Sequence, residues 1–369
     1  MKRRFEVLDI LRGVFSSLVV FYHIAFYTKS PILKNNFIGN SFLFVDFFFI
    51  LSGFVISYTY RNIDSFNDLK VYMKKRFFRL YPLHLVMLLV FLAYEISKHV
   101  FKNSAAGAGP LLNVHNNVVD FFSNLFLLNS VKIPGINSLS WNYPSWSISA
   151  EMISYLLFGL LAVMAFKFKI RKFDVVIKTV VVAAAVCILY AINHNFYFFE
   201  TYNYGFLRGI LGFFVGSLAF NIYTGIDIPN INISKITCSI LEFVIIAIIV
   251  LAIVNGKAIT TNYGYVFELL FLIAVLIFCL EGGILSQGLL KVNLLKKAGK
   301  YSYSIYMTHA IINIIFNLVL IKILKIPASY YSFLFIINYV IVYLSSAWTY
   351  QHIEIRYNNY SKGKAINRS

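Results

Sequence analysis

The chain has 369 residues, of which 59% are hydrophobic and 18% aromatic, and its formal charge is +18 at neutral pH. Only 13% of the residues are charged, about half the share in an ordinary soluble domain. This composition excludes a soluble globular protein, because long apolar runs recur along the whole chain. The cysteines Cys187, Cys238 and Cys279 lie in or beside those runs without CxxC spacing, so they indicate no disulfide framework.

Apolar stretches of about 20 residues, the length of a transmembrane helix, recur ten times. The first carries Asp9 and Arg12 and has no small-residue cleavage site after it, so we interpret it as an uncleaved helix. The predicted helices cover residues 8–27, 41–60, 80–99, 146–166, 174–192, 204–222, 236–254, 262–281, 302–321 and 329–349. The predicted fold class is an all-α integral membrane protein, a bundle of about ten transmembrane helices.

The longest link between predicted helices covers residues 100–145 and contains an apolar run at 118–128. That run is too short to span a bilayer, so we expect it to lie at the interface or to re-enter the membrane. Residues 1–357 are predicted to form one membrane domain without internal repeats, and residues 358–369 a short polar cytoplasmic tail.

The distribution of basic residues predicts the orientation of the helices. If both termini are cytoplasmic, 22 of the 33 Lys and Arg residues fall in cytoplasmic segments, 8 in outer segments and 3 within predicted spans. The positive-inside rule expects this imbalance. The basic charge is therefore mainly an orientation signal, and it is not accompanied by any nucleic-acid-binding motif.

Three ionisable residues fall at one depth of the predicted bundle. His23, Asp46 and Glu151 each lie about four or five residues from the outer end of a predicted helix. Ionisable groups in hydrocarbon are costly and mark functional sites, and a histidine oriented by a carboxylate can activate a hydroxyl for acyl transfer. These three residues are therefore candidate catalytic groups. Alternatively, they only satisfy one another as buried polar contacts between helices.

Four other polar residues fall within predicted spans. Ser147 is one turn from Glu151 and is expected either to hydrogen-bond to it or to act as a covalent relay. His309, roughly 10 Å into the ninth predicted helix, is either an interhelical contact or a functional group. Glu268 and Arg208 are expected to form ion pairs. No His, Cys, Asp or Glu cluster has metal-ligand spacing, and no Gly-rich phosphate loop is present.

Four basic residues precede the third predicted helix: Lys74, Lys75, Arg76 and Arg79. Arg76 and Arg79 are one helical turn apart, a spacing at which two guanidinium groups can grip one phosphate. The alternative is that they only set the topology and contact lipid headgroups. Arg12 adds a third cation on the cytoplasmic side, about 16 Å along the first helix from His23 and on nearly the same face.

Five motifs in order make the chain resemble the acyltransferase 3 family of bacterial membrane O-acyltransferases. They are LDILRG at 8–13 with ten residues between Arg12 and His23, VDFFFILSGF at 45–54, RFFRLYP at 76–82, WSISAE at 146–151 and YSIYMTH at 303–309. The resemblance covers residues 8–309. Many relatives carry a C-terminal esterase-like domain, and the chain is expected to be the stand-alone form. Relatives often have a proline shortly after the acidic residue of the segment QHIEIR at 351–356, where this chain has none.

The resemblance implies a function. It implies transfer of an acyl group, usually acetyl, from cytoplasmic coenzyme A to a hydroxyl of an envelope polysaccharide such as lipopolysaccharide, across the bacterial inner membrane. The implied partners are membrane lipid, a glycan or lipid-linked glycan acceptor and glycan biosynthesis machinery, without nucleic acid or metal. Arg12 and His23 are implied to be essential, and Arg76 and Arg79, to which we add Arg12 and His309, are assigned to the donor.

Two hypotheses compete with this function. A secondary transporter uses intramembrane His, Asp and Arg residues for proton coupling, and it predicts inverted repeats and helices broken at matching positions, which we do not find in the sequence. A non-catalytic partner of a glycan flippase leaves the ordered motifs unexplained. Direct transfer to the acceptor and transfer through an acyl-enzyme both remain open.

Overall fold

The computed structural model describes residues 3–28, 30–100, 116–135, 140–201, 203–228, 231 and 233–361. In these residues nine helices are long and apolar enough to cross a membrane, and a bent pair of helices gives a tenth crossing if the pair is one broken span. We number the long helices in chain order: α1 (Glu6–Ile24), α2 (Phe44–Thr59), α3 (Phe66–Val100), α4 (Trp146–Lys167), α5 (Asp174–Asn193), α6 (Gly205–Gly225), α7 (Lys235–Val254), α8 (Tyr265–Phe278), α9 (Asn293–Asn317) and α10 (Ala328–Thr349). The predicted all-α membrane fold is confirmed.

Burial distinguishes the centre of the bundle from its periphery. In α6, 78% of the most apolar window is buried inside the protein, whereas in α5 the share is 17%. The outward faces of α5, α7 and α10 carry exposed Val, Ile and Leu side chains. Because lipid tails are as apolar as these side chains, such faces suit contact with hydrocarbon. The centre, where α2 and α6 pack together, therefore holds the polar groups.

Two helices begin earlier than the apolar pattern predicts. α3 begins at Phe66 instead of residue 80, and α9 begins at Asn293 instead of residue 302. With 35 residues α3 is about 52 Å long, which exceeds the roughly 30 Å of hydrocarbon. The added turns are rich in Lys and Arg, so hydropathy does not register them although their backbone is helical. As a result, Arg76 and Arg79 lie within α3, and His309 lies further from the start of α9 than predicted.

The eighth predicted span and the long link also differ in detail from a simple helix. The helix predicted at 262–281 corresponds to α8, and the helix Gly256–Asn262 that precedes it meets α8 at 112°. Residues 118–125 form a helix of eight residues, too short to span, as expected, while residues 101–115 lie outside the described part of the chain. At the other end, helical structure continues from α10 through Ser361, and residues 362–369 lie outside the described part.

Glycines bring two pairs of helices into backbone contact. A Cβ on Gly13 of α1 would lie 2.4 Å from the nitrogen of Gly299 in α9, and a Cβ on Gly53 of α2 would lie 1.8 Å from the carbonyl oxygen of Phe213 in α6. Small residues permit such close approach between membrane helices. α1 and α9 run in the same direction from their contact at Gly13 and Gly299. Residues equally far beyond this contact therefore meet again, which positions the site.

Candidate active site

One cavity of about 840 Å³ contains the predicted cationic residues. Its lining includes Arg12 from α1, Arg76 and Arg79 from α3, and Glu151 from α4. Arg12 donates to Ser302 Oγ at 2.7 Å and to the Gly299 carbonyl at 3.3 Å. The three guanidinium groups, predicted from separate segments, are thus brought together. We call this space the inner cavity, because it lies toward the α1 and α9 N-termini.

Arg76 and Arg79 differ in their partners within the protein: Arg76 contacts a tyrosine and Arg79 a carboxylate. Arg76 donates to the Tyr60 hydroxyl at 3.0 Å and lies over the Tyr60 ring, but its Nε has no hydrogen-bond partner among the described residues. Arg79 lies 3.6 Å from the buried carboxylate of Glu354, which also accepts from Ser304 Oγ at 2.5 Å. The acidic residue of the QHIEIR segment therefore anchors Arg79.

The structure does not place Glu151 with His23. Glu151 lines the inner cavity, and its Oε1 accepts hydrogen bonds from Ser52 Oγ at 2.6 Å and from the Tyr155 hydroxyl. Ser147, expected to hydrogen-bond to Glu151, donates instead to the Pro144 carbonyl at 3.2 Å and to the Tyr306 hydroxyl at 3.0 Å. Ser52 lies six residues beyond Asp46 along α2, so Glu151 does not share one depth with Asp46 and His23 as predicted.

A second cavity of about 700 Å³ contains His23. We call it the outer cavity, because His23 is in the last turn of α1. Aromatic residues make up much of its lining: Tyr22, Phe42, Tyr143, Trp146, Tyr197 and Phe199. Burial raises the pKa of Tyr197, which lies outside the helices, so its hydroxyl stays protonated and available as a donor. The outer cavity combines apolar ring surfaces with a small number of polar groups, as ligand sites do.

His23 pairs with His309 instead of with a carboxylate. His309 Nε2 lies 3.1 Å from His23 Nδ1, and their rings are 4.8 Å apart. His309 is sixteen residues from the start of α9, about 24 Å along the helix instead of the roughly 10 Å predicted. The predicted assignment of His309 to the donor side therefore does not match its position. The parallel register explains the pair, because His23 and His309 are each ten residues beyond Gly13 and Gly299.

The hydrogen bonds of this pair fix which nitrogen of each neutral ring carries the proton. A carbonyl oxygen only accepts, so the contacts of His309 Nδ1 with the Tyr306 carbonyl at 2.7 Å and of His23 Nδ1 with the Val19 carbonyl at 2.9 Å require a proton on both Nδ1 atoms. His309 Nε2 then accepts from His23. This tautomer leaves the lone pair of His23 on Nε2, where a general base needs it. In the described part of the chain no group of three or more His, Cys, Asp or Glu residues could hold a metal ion.

Asp46 is not the partner of His23 either. Arg208 of α6 binds both of its carboxylate oxygens, Nε to Oδ1 at 2.7 Å and Nη2 to Oδ2 at 2.8 Å, and both residues are buried. The predicted ion pairing of Arg208 is confirmed, and the guanidinium also lines the outer cavity between Trp146 and Phe199. Glu268 is buried nearby and forms no ion pair among the described residues, so its predicted pairing is wrong.

Comparison with known families decides the class of protein. A family model described as an acyltransferase domain, that of the acyltransferase 3 family, matches residues 5–347 and so includes every residue that lines the two cavities. The chain belongs to the acyltransferase 3 family. No curated protein and no solved structure matches it. With its long apolar helices, the protein is a multi-pass membrane acyltransferase.

Sequence reasoning missed two features of this acyltransferase. One is the contact between His23 and His309, which the equal ten-residue steps from Gly13 and Gly299 would have indicated once α1 and α9 were known to pack together. The other is Tyr306, which lines both cavities. No spacing rule distinguishes Tyr306 from the many other tyrosines of the chain, because its position depends on three helices at once.

Proposed function

We propose that this membrane acyltransferase transfers an acetyl group from cytoplasmic acetyl-coenzyme A to a sugar hydroxyl of a cell-envelope polysaccharide, across the bacterial inner membrane. The observation that supports this O-acyltransferase function is the division of the site. Three guanidinium groups line one cavity, and a histidine with a free Nε2 lone pair lines the other. The transporter hypothesis requires no acyl donor site and leaves the match to an acyltransferase family unexplained.

The inner cavity suits a phosphorylated donor. Asp9 and Glu354 partly neutralise Arg12 and Arg79. The buried Nε of Arg76, in contrast, has no hydrogen-bond partner among the described residues. A phosphate of coenzyme A would supply the acceptor that this nitrogen lacks, and guanidinium groups bind phosphate bidentately. Arg12 lies about 16 Å along α1 from His23, so an extended pantetheine arm bound at the arginines can point its thioester toward the histidine.

The outer cavity suits the acceptor. A sugar presents hydroxyls around a ring with apolar C–H faces, and the aromatic lining offers flat apolar surfaces with hydroxyl groups at their edges. Arg208 is held in place by Asp46 and by the Phe199 carbonyl, and its guanidinium lines the same space. We assign Asp46 to positioning Arg208, which is a different role from the catalytic one expected from its depth.

The proposed mechanism is direct transfer. His23 Nε2 accepts the proton of the acceptor hydroxyl while the hydroxyl oxygen attacks the thioester carbonyl carbon. A carbon–oxygen bond forms and the carbon–sulfur bond breaks, and the departing thiolate takes the proton from the imidazolium, which restores neutral His23. Ser147 donates its proton to a carbonyl and a hydroxyl and has no base beside it, so its contacts do not favour a covalent relay.

The test is transfer by the purified protein in nanodiscs, with labelled acetyl-coenzyme A and envelope polysaccharide or lipid-linked glycan as acceptor. We expect transfer by the native protein and a loss of roughly 100-fold or more in His23→Ala, because general-base catalysis contributes that much. The matched control is His352→Ala, since His352 is exposed and lines neither cavity. Full transfer by folded His23→Ala would refute the mechanism.

The donor side is tested in the same assay. Arg76→Ala is expected to raise the KM for acetyl-coenzyme A by roughly tenfold or more, since a charge-assisted hydrogen bond contributes about 1.5–3 kcal/mol. Lys74→Ala is the control, because Lys74 is exposed on the same helix and does not line the cavity. Equal KM values for the two variants would return Arg76 to a role in topology.

Mass spectrometry of surface polysaccharide from a deletion strain would identify the acceptor by a missing acetyl group.

A further inference from the structure

The inner and outer cavities meet at two side chains. Val45 of α2 and Tyr306 of α9 line both cavities, and both residues are buried. We call this boundary the seam. Each of the other lining residues belongs to one cavity only, for example Ser147 to the inner cavity and Pro144 to the outer cavity. The arginines and His23 are therefore on opposite sides of the seam.

Hydrogen bonds hold Tyr306 across the seam. Its hydroxyl donates to the Pro144 carbonyl at 3.0 Å and accepts from Ser147 Oγ at 3.0 Å. One partner thus belongs to each cavity. The Tyr306 ring is packed edge-on against Phe48, with ring centres 6.2 Å apart. The centre of the His309 ring lies 5.9 Å from that of Tyr306. Two hydrogen bonds and two ring contacts fix a bulky side chain in this one position.

An acyl group that travels from the arginines to His23 has to cross this seam. We propose that Tyr306 is the gate between the two cavities, and that its side chain must leave the Pro144 and Ser147 contacts before a thioester can reach His23. The role of the gate in acyl transfer rests on the proposed function, whereas the position of Tyr306 between the two cavities is a property of the structure. A closed gate keeps water and small ions from passing between the cavities, and so protects both the thioester and the membrane potential.

The gate lies next to the catalytic pair. The backbone carbonyl of Tyr306 accepts from Nδ1 of His309, and Nε2 of His309 contacts His23. A rotation about the Tyr306 side-chain bonds can open the seam without moving that carbonyl. Opening therefore leaves the tautomer of His23 unchanged, so the base stays ready while the donor enters.

The experiment measures access to each cavity from each face of the membrane. In a background with Cys187, Cys238 and Cys279 replaced by alanine, a single cysteine is introduced at Val55, which lines the inner cavity, or at Thr201, which lines the outer cavity. A charged, membrane-impermeant methanethiosulfonate is added to right-side-out or inverted vesicles. With native Tyr306 we expect each cysteine to react from one face only, and from opposite faces.

Removing the gate should abolish this sidedness. Tyr306→Ala is expected to let the Val55→Cys thiol react from both faces, with the rate from the formerly closed face rising by an order of magnitude or more. Tyr306→Phe keeps the ring but loses both hydroxyl hydrogen bonds, so we expect a smaller rise in the same direction. Native-like size-exclusion profiles show that the variants are folded.

Tyr303 provides the matched control. It lies one turn away on α9 and its hydroxyl donates to the Leu80 carbonyl at 2.5 Å, but it lines the inner cavity alone. Tyr303→Ala and Tyr303→Phe should leave the labelling one-sided. One-sided labelling in Tyr306→Ala, or two-sided labelling with native Tyr306, would overturn the gate. Because labelling needs no acyl transfer, these outcomes are distinct from failure of the proposed function, which would show as a native protein without transferase activity.

Discussion

The smallest unit that explains the site is the pair of His23 and His309. Only the carbonyls of Val19 and Tyr306 determine where the protons of the two rings lie, and no carboxylate takes part among the described contacts. In the proposed mechanism His309 therefore acts through His23. We assign His309 to positioning, whereas its sequence motif suggested a contact with the donor.

Kinetics of a His309 variant separate these two roles. His309→Phe keeps an aromatic ring in place but loses both nitrogens, so His23 Nδ1 loses one acceptor and the ring is less well oriented. We expect kcat for acetyl transfer to fall, by less than in His23→Ala, while the KM for acetyl-coenzyme A stays within about twofold. His309→Gln, which retains an acceptor, should recover part of kcat. A raised donor KM with unchanged kcat would restore the donor-binding assignment.

At the scale of helices, the site depends on how closely α1 and α9 approach. A side chain on Gly13 would collide with the backbone of Ala298 and Gly299, at 2.5 Å and 2.4 Å, and backbone atoms cannot move aside as a flexible side chain can. A bulkier residue must push the two helices apart. The displacement would also separate His23 from His309, since both are ten residues beyond this contact.

Gly13→Val is accordingly expected to lower both stability and activity. Overpacking of this kind costs about 1–3 kcal/mol, which should appear as a lower Tm in detergent together with a loss of transfer. Gly288→Ala is the control, because a Cβ at Gly288 meets nothing within 4 Å and alanine favours a helix. If Gly13→Val kept the native Tm and transfer rate, the close contact between α1 and α9 would not be what holds the histidines together.

The helices themselves were predictable from the sequence, but their neighbours were not. Apolar runs identified all ten long helices, because lipid forces the backbone of each run into a helix. Arg12 and His23 lie on one helix, as the first apolar run predicted, and Arg76 and Arg79, whose one-turn spacing suits binding of one phosphate, line one cavity. Asp46 and Glu151 were misplaced because depth along a helix does not determine which face meets which neighbour. That choice depends on side-chain packing, such as the contact between Gly53 and Phe213.

For the molecule as a whole, the proposed function requires that the two cavities open toward different compartments. The inner cavity carries the arginines, and the helix ends around it belong to the segments that hold most of the basic residues. The positive-inside rule therefore predicts that this cavity faces the cytoplasm, where acetyl-coenzyme A is found. The imidazole then lies toward the outer face, where an envelope glycan is accessible. Access of acetyl-coenzyme A to the inner cavity and access of the glycan to the outer cavity therefore both require the same orientation of the protein in the membrane.

Labelling of intact cells tests that orientation. In the cysteine-free background, Lys34→Cys marks the predicted outer side and Lys291→Cys the predicted cytoplasmic side, and both positions are exposed. An impermeant maleimide added to intact cells should react with Lys34→Cys alone, and permeabilised cells should expose both thiols equally. The opposite pattern would place the arginines outside, where they would have no access to cytoplasmic acetyl-coenzyme A, and the direction of transfer proposed here would be wrong.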